Sequence, residues 1–314
     1  MLVNQLVRDR KIAILVLQEA HLNDERVESL NRVFGRNMTI LHSPDPINST
    51  GARGVALVIN KRVLKDCTPV MRQIVPGRAI LTSIPWAEDR TLKILNIYAP
   101  NDATDNEAFW VRLGNERLGR IDFLLGDFNL VEDRADRVPQ REDPERPREA
   151  LQALCEKLDL IDGWRSSNPL APRYTFLQES TSSQSRLDRI YVKRQTFKDC
   201  SDWDITEPGI PTDHLLASVA IQNYKAPFIG KGRWVMPTHL LEDQEMKKSM
   251  LALAAALVRQ IESMPTRTAE SNPQTMYAAF KAELSAAART RAREKVPKMQ
   301  KRIDRMREDL TKTL

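Results

Sequence analysis

The segment LLGDFNLVEDR, residues 124–134, places Asp127 and Asn129 two residues apart at the end of an apolar run. A carboxylate and a carboxamide side by side suit a metal ion or a phosphate, because both supply oxygen and the amide also supplies N–H. Related chemistry recurs at Glu19 after ILVLQ, at Tyr98 and Asn101 in NIYAPN, at Asp188 in SRLDRIYV, and at Asp213–His214 in PTDHLLASV. Glu19, with Asp127 or Asp213, offers hard oxygens, ionised at neutral pH, that match Mg²⁺ or Mn²⁺; no zinc-type set is spelled. With an ordinary pKa of about 6.5, His214 can work in either protonation state. Singly, each residue also has a plainer reading. Glu19 can be a helix-start acid, Asp127–Asn129 an Asx turn and Asp213 an N-cap, while Tyr98 can be a strand aromatic and His214 an ordinary polar residue.

These residues share one position: each lies at or just beyond the end of a predicted strand, where α/β proteins collect chemistry from distant sequence. Leu2, Val3, Leu6 and Val7 are at helical spacing, and residues 11–17 then read as a buried strand ending at Gln18–Glu19. Further strand-like runs cover 54–59, 79–84, 92–98, 121–125, 187–192 and 215–221, with helices over 106–118 and 150–158. Gly126 is expected to turn the chain sharply, so that Asp127 and Asn129 point the same way. Strands that outnumber helices favour a layered α/β sandwich over a strictly alternating parallel fold. Residues 132–149, EDRADRVPQREDPERPRE, carry charge and proline without apolar periodicity and read as a mobile surface loop. Beyond residue 223 the composition shifts to long alanine- and arginine-rich segments, 239–263 and 273–296, with Pro297 expected to break off a last charged helix.

A chain of 314 residues, 41% hydrophobic and 29% charged, has ample length for a core. Three cysteines far apart argue against a disulfide framework and for a reducing compartment. No stretch reaches the ~20 apolar residues of a bilayer span, and the opening MLVNQLVRDRK is no signal peptide, so the expectation is an intracellular protein, nuclear or cytoplasmic, not secreted. Asn48–Ser49–Thr50 then reads as a polar loop rather than a glycosylation site. The net charge of +6 is uneven: after residue 222 there are 18 Lys and Arg against 10 Asp and Glu, leaving the first 222 residues slightly acidic. A basic tail fits a nucleic-acid partner, and equally a solvated helical face. Gly230–Lys231–Gly232 lacks the spacing of a phosphate-binding loop.

In order, QE, NIYAPN, GDFN, SRLDRIY and TDH resemble the endonuclease/exonuclease/phosphatase superfamily over about residues 1–222. The resemblance implies a four-layered α/β sandwich (DNase-like) with its site between two sheets, here followed by a C-terminal helical extension. It implies Mg²⁺ (or Mn²⁺), with Glu19, Asp127 and Asp213 as ligand candidates, DNA as partner, and no organic cofactor. Asp127, with Asn129 beside it, would position and activate the attacking water. His214, oriented by Asp188, would contact a phosphate oxygen or move a proton. Asn101 would hold phosphate, and Tyr98 would donate to the developing charge.

Tyr98 stands where phosphatase, deadenylase, sphingomyelinase and pancreatic-type DNase branches generally carry histidine. Tyrosine followed by Pro100 and Asn101 resembles the apurinic-site endonucleases and the endonuclease of LINE-type (non-LTR) retrotransposons. GKGRWVMPTHLLED is similar to the connector before reverse transcriptase in such polyproteins. The family normally begins with one more strand bearing a metal-side asparagine; Asn4, inside the first helix, does not replace it. The expectation is therefore a domain at 1–222 lacking that strand and a basic helical connector at 223–314. Its function would be a metal-dependent DNA endonuclease (nickase) of a retrotransposon-derived protein, or alternatively an inactive remnant that binds nucleic acid through its basic tail. Oligomeric state is not legible in the sequence.

Overall fold

The computed structural model describes residues 2–65, 67–86, 90–178, 180–223 and 236–313. The chain divides into two compact units, residues 1–228 and 229–314. The first opens with α1 (Leu2–Asp9), β1 (Ile14–Gln18), α2 (Asp24–Phe34), β2 (Met38–Ser43) and β3 (Val55–Asn60). Next come β4 (Val70–Val75), β5 (Ala79–Pro85), β6 (Thr91–Tyr98), α3 (Ala103–Asn115) and β7 (Phe123–Asp127). A short strand β8 (Arg137–Val138) precedes α4 (Glu145–Leu158), β9 (Leu160–Asp162) and α5 (Gly163–Ser167). The unit continues through β10 (Phe176–Gln178), β11 (Ser183–Ser185), β12 (Asp188–Lys193), α6 (Arg194–Phe197), β13 (Cys200–Thr206) and β14 (Leu216–Ile221).

A six-stranded sheet, in the order β4-β5-β6-β7-β12-β9, forms the centre. Its strands alternate between two apolar faces. Leu95, Ile97, Leu124 and Tyr191 pack with Phe109, Trp110, Leu113, Leu151 and Leu154 of α3 and α4. Ile94, Tyr98, Phe123 and Ile190 pack instead against Val55, Leu57 and Ile59 of β3. Every residue of β3 is buried, because its sheet, β1-β3-β2, is covered on the other side by Leu6 and Val7 of α1. Helices, sheet, sheet and helices make four layers, as an α/β sandwich requires. A separate β13-β14 ribbon packs Ala217 and Val219 into the inter-sheet core. Among the described residues β1 pairs only with β3, and β14 only with β13.

Three sequence expectations are corrected here. Gly126 does not turn the chain; it lies within β7, with φ of +140°, where a Cβ would stand 1.9 Å from the Ile97 carbonyl oxygen. The bend comes later, at Asn129, with φ of 47°. Residues 132–149 are not a free loop, because their charges are internal partners. Asp136, 1% exposed, accepts from Arg186 Nε (2.9 Å) and Nη2 (2.7 Å) and from Arg165. Glu132 pairs with Arg189 at 3.0 Å, Arg186 also reaches Asp162 at 2.7 Å, and Asp143 accepts the Val131 N–H at 2.8 Å and pairs with Arg137. α4 accordingly starts at Glu145, five residues before the first apolar position that marks it in sequence.

The second unit pairs α7 (Gln244–Glu262) with α8 (Pro273–Thr313) around Leu240, Met246 and Ala288. Asp243 caps α7 through the Met246 N–H (2.9 Å) and binds Arg291 and Lys295 of α8. Pro297 does not end the helix: α8 runs through it, carried by strong helix formers on both sides. Gly230–Lys231–Gly232 and residues 233–235 of the connector-like stretch lie outside the described residues.

Burial alone would raise the Asp136 carboxyl, but the Arg186 hydrogen bond and charge, with Arg189 and Arg165, hold it below the usual carboxylate range. A depressed folded pKa gives stability that is present above the unfolded value of about 3.9 and lost as pH falls through the folded one. Asp136→Asn is expected to destabilise the first unit by about 3–5 kcal/mol at neutral pH. Denaturant melts should show the deficit shrinking below about pH 4.

Candidate active site

The sheet register brings the candidate residues together. In the parallel β6/β7 pair Tyr98 is opposite Asp127, and in the antiparallel β7/β12 pair Asp127 is opposite Asp188. Residues in register share a face, so the three side chains form a row across three strands, facing the β1-β3-β2 sheet. From that sheet comes Glu19, one residue past β1, and the Tyr98 hydroxyl donates to its Oε1. From the other side comes His214, bridged to Phe176 just before β14, with Nδ1 2.7 Å from Asp188 Oδ2.

Electrostatics follow from this crowding. Burial and the Asp188 charge, then that of Glu19, push the Asp127 carboxyl up to about 7, against the opposing effects of His214 and the Asn129 N–H. Burial pulls His214 down, but its hydrogen bond to Asp188 and the charges of Asp188, Asp127 and Asp213 raise it to about 9. At neutral pH the ring is therefore an imidazolium, donating one N–H to Asp188 and carrying a second on Nε2. Burial and Glu19 raise the Tyr98 phenol well above its ordinary range, which keeps it a hydrogen-bond donor.

Several supporting residues have no local signature in the sequence. Thr175 Oγ1 accepts the N–H groups of Leu187 (3.0 Å) and Asp188 (2.9 Å), and its carbonyl accepts from Leu215 (2.7 Å), so one residue clips both halves of the His214–Asp188 pair. The Phe176 ring lies 4.9 Å from the His214 ring. Buried Asn106 donates to the carbonyls of Pro100 (2.7 Å) and Phe128 (3.0 Å), and Asn129 Nδ2 donates to Ala99 (3.0 Å). Those bonds join the loops after β6 and β7. Asn129 also donates its backbone N–H to Asp127 Oδ1 at 2.9 Å. Arg78 donates to the Tyr98 carbonyl at 3.0 Å, its guanidinium 5.3 Å from the centre of the Tyr98 ring. The pairing partners of these groups lie up to 40 residues away, which hides them from sequence patterns.

Asn101 and Asp213 are exposed, Asn101 in the loop after β6 and Asp213 next to His214. Among the described residues no group of three or more His, Cys, Asp or Glu side chains is gathered tightly enough to hold a metal ion. What converges is a pair of carboxylates, Glu19 and Asp127, each close enough to act electrostatically on Tyr98. That donor set fits Mg²⁺, which takes one or two carboxylates and completes its shell with water and substrate oxygens. The repulsion that raises Asp127 is also the repulsion a divalent cation removes.

The family model of the Endonuclease/Exonuclease/phosphatase family matches residues 2–214, a span that contains all eight candidate residues. The chain belongs to this family. A curated relative, the "Transposon TX1 uncharacterized 149 kDa protein" of Xenopus laevis, is 29% identical over 261 residues, covering 79% of this chain. The chain spans about a fifth (19%) of that relative's length. Among solved structures, the endonuclease domain of TRAS1, a telomere-specific non-LTR retrotransposon, aligns with a TM-score of 0.54 at 19% identity, over 71% of this chain and 92% of that one. The AP endonuclease LMAP from Leishmania major aligns with a TM-score of 0.55 at 15% identity, over 68% and 79%. The 3'-5' exonuclease NExo from Neisseria meningitidis gives 0.54 at 22%, over 70% and 93%. These likenesses establish the DNase-like fold.

Replacing Asp188 by Asn removes the strongest upward influence on His214 while leaving its burial in place. In Asp188→Asn the ring is expected to titrate well below 9, near or under the ordinary value of about 6.5. NMR titration of the imidazole carbon-bound protons reads this directly; a ring still titrating near 9 contradicts the pairing.

Proposed function

We propose that the chain is a divalent-metal-dependent DNA endonuclease that nicks one strand, of the kind carried by non-LTR retrotransposons. The observation that carries this reading is the Tyr98–Asp127–Asp188 row closed by Glu19 on one side and by a protonated His214 on the other. Similarity to a transposon protein and to the TRAS1 endonuclease domain supports DNA as the substrate class.

A phosphodiester resists hydrolysis because its oxygens repel a nucleophile and its leaving alkoxide is poor. Glu19 and Asp127, with exposed Asp213 as a further candidate ligand, would hold Mg²⁺ or Mn²⁺, which would supply charge neutralisation at the phosphate. The chain's own residues do the rest. Asp127, with Asn129 fixed beside it, orients the attacking water and takes its proton. Asp188 holds the His214 imidazolium, whose Nε2–H donates to a non-bridging phosphate oxygen. Tyr98, kept protonated, would turn its one O–H from Glu19 to donate to the charge developing on the leaving oxygen. Asn101, exposed at the mouth, binds a phosphate oxygen. Arg78, half-buried against Tyr98, with the Tyr98 carbonyl as the described hydrogen-bond partner of its guanidinium, offers a second phosphate contact.

Nicking of supercoiled plasmid with Mg²⁺ tests the reading. Asp127→Ala and His214→Ala are each expected to reduce the rate by about 10²–10⁴-fold, and chelation to abolish it. Equal rates in wild type and both variants would overturn it. A second reading, nucleic-acid binding without cutting, draws on the exposed Lys298, Lys301, Arg302 and Arg305 along α8. It requires salt-sensitive DNA affinity that survives Asp127→Ala and disappears on deletion of residues 229–314.

A further inference from the structure

One polar pair near the site, partly buried at Gln18 and fully buried at Asn96, has no part in the chemistry above. Gln18 is the last residue of β1, and its Nε2 donates to Asn96 Oδ1 of β6 at 2.8 Å, bridging two different sheets. Asn96 in turn donates to the Ala56 carbonyl of β3 at 2.9 Å and is fully buried. It lies two residues before Tyr98, on the same face of β6, between apolar Ile94 and the tyrosine ring. An amide pair in that setting has to be fully satisfied to be tolerated, and leucine would fill the space without that requirement. The geometry shows what the amides do that leucine could not. They fix the end of β1 in direction and depth relative to β6. The next residue, Glu19, takes a left-handed backbone conformation, φ of 48°, and Ala20 is then tied to the Gly54 carbonyl at 3.0 Å. Gly126 completes the fit: a Cβ there would stand 3.1 Å from Gln18 Nε2, so bare backbone makes room for the amide one residue before Asp127.

We propose that Gln18 and Asn96 are positioning residues that set the Glu19 carboxylate against Asp127, and so govern how tightly the site binds its divalent cation. This inference rests on the metal-dependent reading above and names the residues that tune it. Supporting groups behind metal ligands typically change affinity or activity by about 10–100-fold when lost.

The test uses the full chain with Gln18→Met and Asn96→Leu. Binding of Mn²⁺ alone is followed by the EPR signal of the free ion, and Mg²⁺ dependence by plasmid nicking. The expected result is a Mn²⁺ dissociation constant weakened by about 10–100-fold, with nicking at saturating Mg²⁺ close to wild type and a lowered thermal midpoint, since each single variant leaves one amide unpaired. Gln18→Met keeps the side-chain length at a partly buried position, so it decides the matter should Asn96→Leu fail to fold. Folded variants that bind Mn²⁺ as tightly as wild type overturn this inference alone. A wild-type chain that binds no Mn²⁺ overturns the metal reading and this inference together.

Discussion

Two carboxylates placed opposite one another on neighbouring strands cannot both be buried and charged unless a cation stands beside them. Asp127 and Asp188 are such a pair, and the rest of the site is arranged around the conflict. His214 answers it for Asp188 by holding a proton up to about pH 9. Among the described residues Asp127 has no ion pair of its own, and despite the pull of His214 its carboxyl rises to about 7 through burial and the Asp188 charge. Glu19, held by Tyr98, adds a further negative group on the same side. The chain thus stores repulsion at one point of the sheet, which binding of a divalent cation would relieve. Because strand side chains alternate, a slip of one residue in β7 against β12 would turn Asp127 away from the site altogether.

The same alternation lets β12 serve two purposes. Asp188 faces the inter-sheet site, while Arg189 faces the other way, under Phe128 and onto Glu132 and Tyr191. Arg186, just before the strand, grips Asp136. The acid that orients the imidazolium therefore sits between two arginines that anchor the segment following β7. The segment after Asp127 and the strand bearing Asp188 are locked to each other behind the site, by ion pairs whose charged members would be costly to leave unpaired.

Much of this was legible before any coordinates. Strand ends at Glu19, Tyr98, Asp127 and Asp188 follow from apolar runs, and the order of the motifs pointed to the family that the residue 2–214 match establishes. Register was not legible, since nothing local says that Asp127 will face Asp188 rather than its neighbour. Nor were partners at long range. EDRADR reads as a solvated loop until Arg186 and Arg189, fifty residues on, are seen to neutralise it. Thr175 and Asn106 act only by hydrogen bonds to backbone of other segments, so neither leaves a pattern. Gly126 looked like a turn because glycine usually marks one; the actual demand was close approach of the Ile97 carbonyl. At Pro297 the local penalty is real, but the helix formers around it outweigh it.

Family membership fixes the class of chemistry, and the proposed function gives the site its parts: a hard-cation pair, a base, a proton-holding ring and a phenol donor. That proposal depends on Glu19 and Asp127 sharing one ion although they come from different sheets. Anomalous diffraction from crystals of the full chain soaked in Mn²⁺ measures this most directly. The account predicts a peak bound by carboxylate oxygens of both Glu19 and Asp127, at roughly 2.0–2.2 Å, with His214 still on Asp188. A metal peak elsewhere, with those two carboxylates turned apart, would contradict it.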